Sequence, residues 1–144
     1  NFDATVSLIE NCKTYGFTKF INTGSSSEYG FRNNKMAEKD MVSPNSDYAV
    51  YKSVSSIYCQ YEAMINKLPI VTLRPFHVYG PFEDPNRLIP TLIRNLHNKL
   101  VPKLVSPNIS RDLIYIDDVI DVYINSCNNN FKYSSSLKII IVSP

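Results

Sequence analysis

The run Ile70-Val71-Thr72-Leu73-Arg74-Pro75-Phe76 constrains the fold more than any other stretch of the chain. It is largely apolar, interrupted only by Thr72 and Arg74, and such a run suits a strand buried on both faces. A strand of that kind belongs in a layered sheet with helices around it. The flanking patterns supply the helices. Residues 4–13 place Val6, Ile9 and Cys12 at spacing three, an amphipathic helix with Gly16 as its C-cap. Phe17–Asn22 reads as a short strand. A long helix, capped by Asn45 or Ser46, is expected to run to about Asn66, with Pro69 marking its exit. Leu88, Leu92 and Leu96 predict a helix over 88–98. Short strands are expected at Lys103–Ser106 and Leu113–Ile116. Asp117 or Asp118 is expected to cap a helix reaching about Ser126, ahead of an Asn/Ser-rich loop at 128–136 and a last strand at Leu137–Val142. Helix–strand alternation of this kind predicts a mostly parallel α/β sheet. Ligands in such sheets sit beyond the carboxyl ends of the strands, which directs attention to Thr23–Gly30 and His77–Pro81.

Composition removes several classes of function. With 44% hydrophobic and 19% charged residues, the 144-residue chain reads as globular. A net charge of +2 without a Lys/Arg run argues against nucleic-acid or membrane-surface partners. The apolar runs are far too short to cross a bilayer. Cys12, Cys59 and Cys127 are widely separated and form neither a CxxC pair nor a metal framework. They read as thiols of a reducing compartment, so a cytoplasmic location is expected.

Two groups of residues carry chemistry. Tyr48 and Lys52 are four apart on the long predicted helix, so both side chains lie on one face, a turn apart. A tyrosine has a reference pKa of about 10 and is a poor base at neutral pH, whereas a neighbouring ammonium favours the phenolate. The pair could exchange a proton with a substrate hydroxyl or carbonyl. Taken alone, Tyr-x-x-x-Lys is a common surface pair. The segment Gly24-Ser25-Ser26-Ser27-Glu28-Tyr29-Gly30 adds hydroxyls where a strand ends, although a Ser-rich turn is its plain reading.

Four motifs in order resemble one family: Ser25-Ser26-Ser27-Glu28-Tyr29-Gly30, Tyr48-x-x-x-Lys52, Leu73-Arg74-Pro75-Phe76-His77-Val78-Tyr79-Gly80-Pro81, and Arg111-Asp112-Leu113-Ile114-Tyr115-Ile116-Asp117-Asp118. Their order and spacing are similar to those of the extended short-chain dehydrogenase/reductases of the NAD-dependent epimerase/dehydratase type, which act on nucleotide sugars. The resemblance implies the C-terminal half of a Rossmann-like parallel sheet with part of a small substrate-binding subdomain. Residues 1–80 would form the partial cofactor domain and 81–144 the partial substrate subdomain.

By the same resemblance Ser25 would be the catalytic hydroxyl, with Ser26 also reaching substrate, and Tyr48 the acid/base. Lys52 would favour the phenolate and hold the nicotinamide ribose, so that Tyr48 and Lys52 both touch cofactor. Pro75, Phe76 and Val78 would pass beside the nicotinamide of NAD or NADP. His77 stands where the family usually has an Asn that meets the sugar diphosphate. Arg111 would pair with that diphosphate, chemistry suited to a guanidinium fork, and Arg87 would lie near the substrate. The partner implied is a nucleotide-diphosphate sugar, and a homodimer built on the helix of Tyr48 is common in the family. The implied reaction is oxidation at C4 of the sugar followed by epimerisation or keto reduction. A 4,6-dehydratase is the alternative, disfavoured because Ser26 and Ser27 stand where that subfamily has acids and Glu28 is displaced along the loop. A non-catalytic dinucleotide sensor or scaffold would have no reason to keep the Ser/Tyr/Lys set.

One element of the family is missing from the sequence. Its glycine-rich turn presents backbone amides and a helix N-terminus to the cofactor pyrophosphate. The four glycines here are Gly16, Gly24, Gly30 and Gly80, and none of them forms G-x-G-x-x-G. The chain also opens on Asn inside a helical pattern, and it reads as an internal piece whose glycine-rich half lies upstream. The 144 residues by themselves are therefore expected to bind NAD or NADP poorly or not at all and to be inactive. Equilibrium titration of the isolated chain checks this; saturable binding in the nanomolar-to-micromolar range would contradict it.

Overall fold

A computed structural model of the chain describes residues 2–32, 34–104, 111–128 and 139–143. Helix α1, Phe2–Tyr15, ends where Gly16 adopts φ 74°, a left-handed turn that a side chain would strain. Strand β1 is Phe20–Thr23. The expected strand at 17–22 is thus shifted, because its limits are set by its partner: Phe20 donates its N–H to Pro69, and β2, Ile70–Pro75, begins at the next residue. Helix α2, Asp47–Ile65, joins them and starts at Ser46, whose hydroxyl oxygen accepts from the Ala49 N–H at 3.3 Å.

β1 and β2 run parallel, Phe20 opposite Ile70 and Thr23 opposite Leu73. β5, Ile139–Val142, lies parallel on the other side of β2, with Thr72 opposite Ile139 and Pro75 opposite Val142. The order β1-β2-β5 puts β2 in the middle, which is why residues 70–74 are all buried. The apolar run does not extend to Phe76 as one strand. Phe76 gives its N–H to Val142, and the chain then enters β3, His77–Tyr79. β3 pairs in parallel with β4, Leu113–Tyr115, in a second, two-stranded sheet. The segment read as a loop from His77 is therefore partly strand.

Side-chain alternation along β2 sorts the core. Val71 and Leu73 pack with Ile114, Val119 and Val142, against α4, Ile116–Asn128. Ile70, on the opposite face, packs with Ile9 of α1 and Cys59 of α2. Thr72 and Arg74 share Ile70's face, so two polar side chains point towards α2 from a fully buried strand. Asp117 and Asp118 do not cap α4 from outside. They lie in its first turn, where their charge suits the helix dipole. Helix α3, Leu88–His97, buries none of its residues, and His97 is exposed in its last turn. Residues 103 and 104 are not strand, and the rest of the strand expected at Lys103–Ser106, most of the loop at 128–136 and the first two residues of the last strand lie outside the described residues. No described helix is long and apolar enough to cross a membrane.

Candidate active site

The chain leaves β1 at Thr23 and turns beneath the carboxyl end of β2. Gly24 donates its N–H to Leu73 at 2.7 Å. A Cβ at this position would lie 2.5 Å from Glu28 Oε1, so only glycine allows the approach. Ser25 then caps a 3-10 turn, Ser26–Tyr29. Its hydroxyl oxygen accepts from the Ser27 N–H at 3.1 Å, while its own N–H donates to Glu28 Oε1 at 2.9 Å. That reciprocal capping box fixes the serine loop. The Ser25 hydroxyl proton makes no hydrogen bond to another described residue.

Glu28 is the anchor of this loop, and it is fully buried. Arg74 Nε and Nη2 donate to its Oε2 at 2.8 and 2.7 Å. Ser56 Oγ of α2 donates to Oε1 at 2.9 Å. The remaining reach of Arg74 goes to the Tyr29 hydroxyl, 2.7 Å from Nη1, and its guanidinium stacks 4.7 Å over the Tyr29 ring. Burial pushes the Tyr29 phenol above its ordinary range, with Arg74 pulling the other way. Asn22 extends the network, donating to Thr72 Oγ1 at 3.3 Å. Each carboxylate oxygen is thus engaged, as a buried charge requires. Sequence reasoning did not find this network. The available signal was an arginine inside a buried strand, which demands an anion; the 46-residue separation from Glu28 hid the partner.

Above this floor stand Tyr48 and Lys52, on one face of α2 as their spacing predicts. The Lys52 amine lies 5.8 Å from the centre of the Tyr48 ring. It donates to the Thr23 carbonyl at 2.8 Å, two residues before Ser25. An ammonium has three donors, so two stay available for a ligand such as a ribose. Tyr48 is half-exposed and its hydroxyl makes no hydrogen bond to another described residue. No hydrogen bond joins Ser25 to Tyr48; the Thr23 backbone links their surroundings. Thr23 is itself pinned, its hydroxyl 2.7 Å from that of Tyr123 on α4, a second contact the sequence did not disclose.

Pro75, Phe76, His77, Val78 and Arg111 lie where β2 gives way to β3 and its partner β4. Pro75 closes β2, and the N–H groups of Phe76, His77 and Val78 are bonded to Val142, Asp112 and Phe76. This strip can therefore meet a cofactor only through side chains and carbonyl oxygens. Val78 packs against the core. His77 and Arg111 are brought together, Nη1 to Nε2 at 3.0 Å. Arg87, exposed at the start of α3, makes no capping bond with its side chain. Ser26 is half-buried at the start of the 3-10 turn. Among the described residues no group of three or more His, Cys, Asp and Glu could hold a metal, and all three cysteines are free.

Comparison with known proteins gives a consistent picture. Residues 1–135 match the family model "NAD dependent epimerase/dehydratase family". A protein of Bacillus subtilis (strain 168), described as an uncharacterized UDP-glucose epimerase, YtcB, is 33% identical over 121 residues, covering 83% of this chain and 38% of the relative. The UDP-N-acetylglucosamine 4-epimerase from Methanobrevibacter ruminantium M1, solved with UDP-N-acetylmuramic acid, superposes with a TM-score of 0.87 at 30% identity, over 99% of this chain and 46% of that one. The UDP-glucuronic acid 4-epimerase from Bacillus cereus, solved with UDP-glucuronic acid and NAD, gives a TM-score of 0.85 at 28% identity, over 99% of this chain and 45% of that one. The chain spans less than half the length of each of these proteins.

Removing one partner of a buried ion pair strands the other charge. Arg74→Met is accordingly expected to lower stability by about 3–5 kcal/mol, and Glu28→Gln together with Arg74→Met to recover part of that loss. Urea denaturation of the two variants measures both. An Arg74→Met protein as stable as the unaltered one would refute the structural role of the pair.

Proposed function

The chain belongs to the NAD dependent epimerase/dehydratase family, and from that premise we propose that the whole protein oxidises the C4 hydroxyl of a nucleotide-diphosphate sugar and then returns the hydride to the other face, as a 4-epimerase, or runs only the second half on a 4-keto sugar with reduced cofactor, as a 4-ketoreductase. The observation that carries the reading is the Lys52 amine, anchored on Thr23 at 2.8 Å and lying against the Tyr48 ring beside the serine loop. NAD bound there would take up and give back the hydride. The spare N–H groups of Lys52 fit a ribose diol, and the side chains of Pro75 and Phe76 offer apolar surface to a flat ring. In this reading residues 1–80 carry the cofactor side and 81–144 the sugar side, except that α4 and β5 pack with β1 and β2 and belong to the cofactor side.

Tyr48 would receive the proton of the C4 hydroxyl as C4 gives up its hydride to NAD. The Ser25 hydroxyl keeps its oxygen in the capping box and directs its free proton towards the same sugar oxygen. It thereby stabilises negative charge as the C–O bond passes to carbonyl. On the return step Tyr48 gives the proton back. Arg111 and Arg87 are the cations available to a diphosphate, with His77 beside Arg111. Water loss across C5–C6 would need a further acid and base. What supports epimerisation or reduction instead is that Glu28, the sole carboxylate of the 24–30 loop, is buried and bonded through both oxygens.

The homodimer is proposed on the outer face of α2. Val50, Val54, Ile57, Tyr61 and Ile65 are each 39–62% exposed and recur every three or four residues, forming one apolar stripe. A second copy of the same helix is the self-complementary partner for such a stripe.

Tyr48→Phe in the full-length protein is expected to reduce kcat on a nucleotide sugar by about 10²–10⁴-fold while NAD binding persists. Steady-state kinetics with cofactor titration measures this, and an unchanged kcat would remove Tyr48 from the mechanism. Product analysis in the same assays should yield a C4 epimer or, with a 4-keto sugar nucleotide and reduced cofactor supplied, its 4-hydroxy product; a 4-keto-6-deoxy product from the nucleotide sugar would return the reading to dehydratase. Light scattering should give a dimer for the full-length protein and a monomer for Ile57→Lys. A dimer that survives that change would move the interface elsewhere.

A further inference from the structure

His77 enters β3 directly after the carboxyl end of β2, and its backbone N–H donates to the Asp112 carbonyl at 3.1 Å, which draws Arg111 alongside. Arg111 Nη1 lies 3.0 Å from His77 Nε2. A guanidinium has only N–H groups to offer, so Nε2 must be the acceptor and carries no proton. The imidazole is then neutral, with its one ring proton on Nδ1. Charged groups reach this ring from two elements. Arg111 and Asp112 lead into β4, and Arg87 starts α3. Partial burial, and after it Arg111, keep the ring below its usual value of 6.5; Arg87 acts in the same sense, and the Asp112 carbonyl and carboxylate oppose. Two arginines against one carboxylate leave the spot cationic.

We propose that His77 is a positioning residue for Arg111 that couples anion binding to a proton: the unprotonated ring holds the guanidinium at the mouth of the sheet, and a bound nucleotide diphosphate draws one proton from solvent onto Nε2. The inference rests on the nucleotide-sugar reading above. A diphosphate between the two side chains removes the repulsion that otherwise keeps imidazolium from forming beside Arg111. Nε2–H then donates to a phosphate oxygen, and the Arg111 N–H that it had accepted turns to the same anion. The ring is neutral in the free protein and protonated in the complex. Affinity therefore rises as pH falls through the window between those two states.

The test is isothermal titration of the NAD-loaded full-length protein with UDP-glucose and with dTDP-glucose, whose diphosphates do not titrate near neutrality. Paired buffers of different ionisation enthalpy report proton uptake. His77→Asn keeps an acceptor for Arg111 but cannot titrate, and His97→Asn is the control. The unaltered protein and the control are expected to take up a proton on binding and to bind roughly three- to tenfold more tightly at about pH 6 than at about pH 7.5. His77→Asn should bind at the higher pH yet lose both effects. Binding without proton uptake, or uptake that survives His77→Asn, overturns the inference and leaves the nucleotide-sugar reading standing. Failure of both sugars to bind at millimolar concentration brings down the reading and the inference together.

Discussion

Glu28 and Arg74, a carboxylate and a guanidinium without access to water, hold the carboxyl end of the sheet in place. In a low-dielectric interior neither charge is tolerable alone, so each dictates where the other must be. Arg74 is set by β2, the most buried strand of the fold. Glu28 must therefore come to it, and the serine loop comes with it. The Ser25 N–H and the Ser56 hydroxyl, from the loop and from α2, both close on the same carboxylate oxygen. One ion pair thus ties together three elements: the central strand, the loop after β1 and the helix that bears Tyr48 and Lys52.

The site above inherits that rigidity. Lys52 rests on the Thr23 carbonyl, the last residue of β1, and Thr23 is held from the far side by Tyr123 of α4. Helices on opposite faces of the sheet therefore meet at one backbone position beside the serine loop. A side chain kept in place this way loses little further freedom on meeting a ligand, which is the physical content of preorganisation. His77 and Arg111 lie instead at the junction of the two sheets, where β2 gives way to β3 and Arg111 leads into β4.

Much of this was legible in the residues. Of the two caps the sequence offered for α2, Asn45 and Ser46, Ser46 is the one used, because its hydroxyl meets a local partner three residues on. Tyr48 and Lys52 shared a face because helical spacing alone determines that. Elements whose limits depend on a neighbour were less legible. β1 begins at Phe20 rather than Phe17 because β2 begins at Ile70. β2 ends at Pro75 because the chain then changes sheets, His77 pairing with Leu113 of β4. Asp117 and Asp118 read as caps, since first-turn and capping positions favour the same residue types and differ only in backbone geometry.

The sequence by itself determined the local periods, the caps and the order of the motifs, and through them a parallel α/β chain bearing a Tyr–Lys pair. These follow from interactions among residues a few positions apart. Only the tertiary structure decided that Glu28 answers Arg74, that Thr23 carries Lys52 and Tyr123, and that His77 accepts from Arg111. Those contacts join residues 29 to 100 positions apart, and nothing in the spacing of a chain records which buried donor will meet which acceptor until the layers have packed.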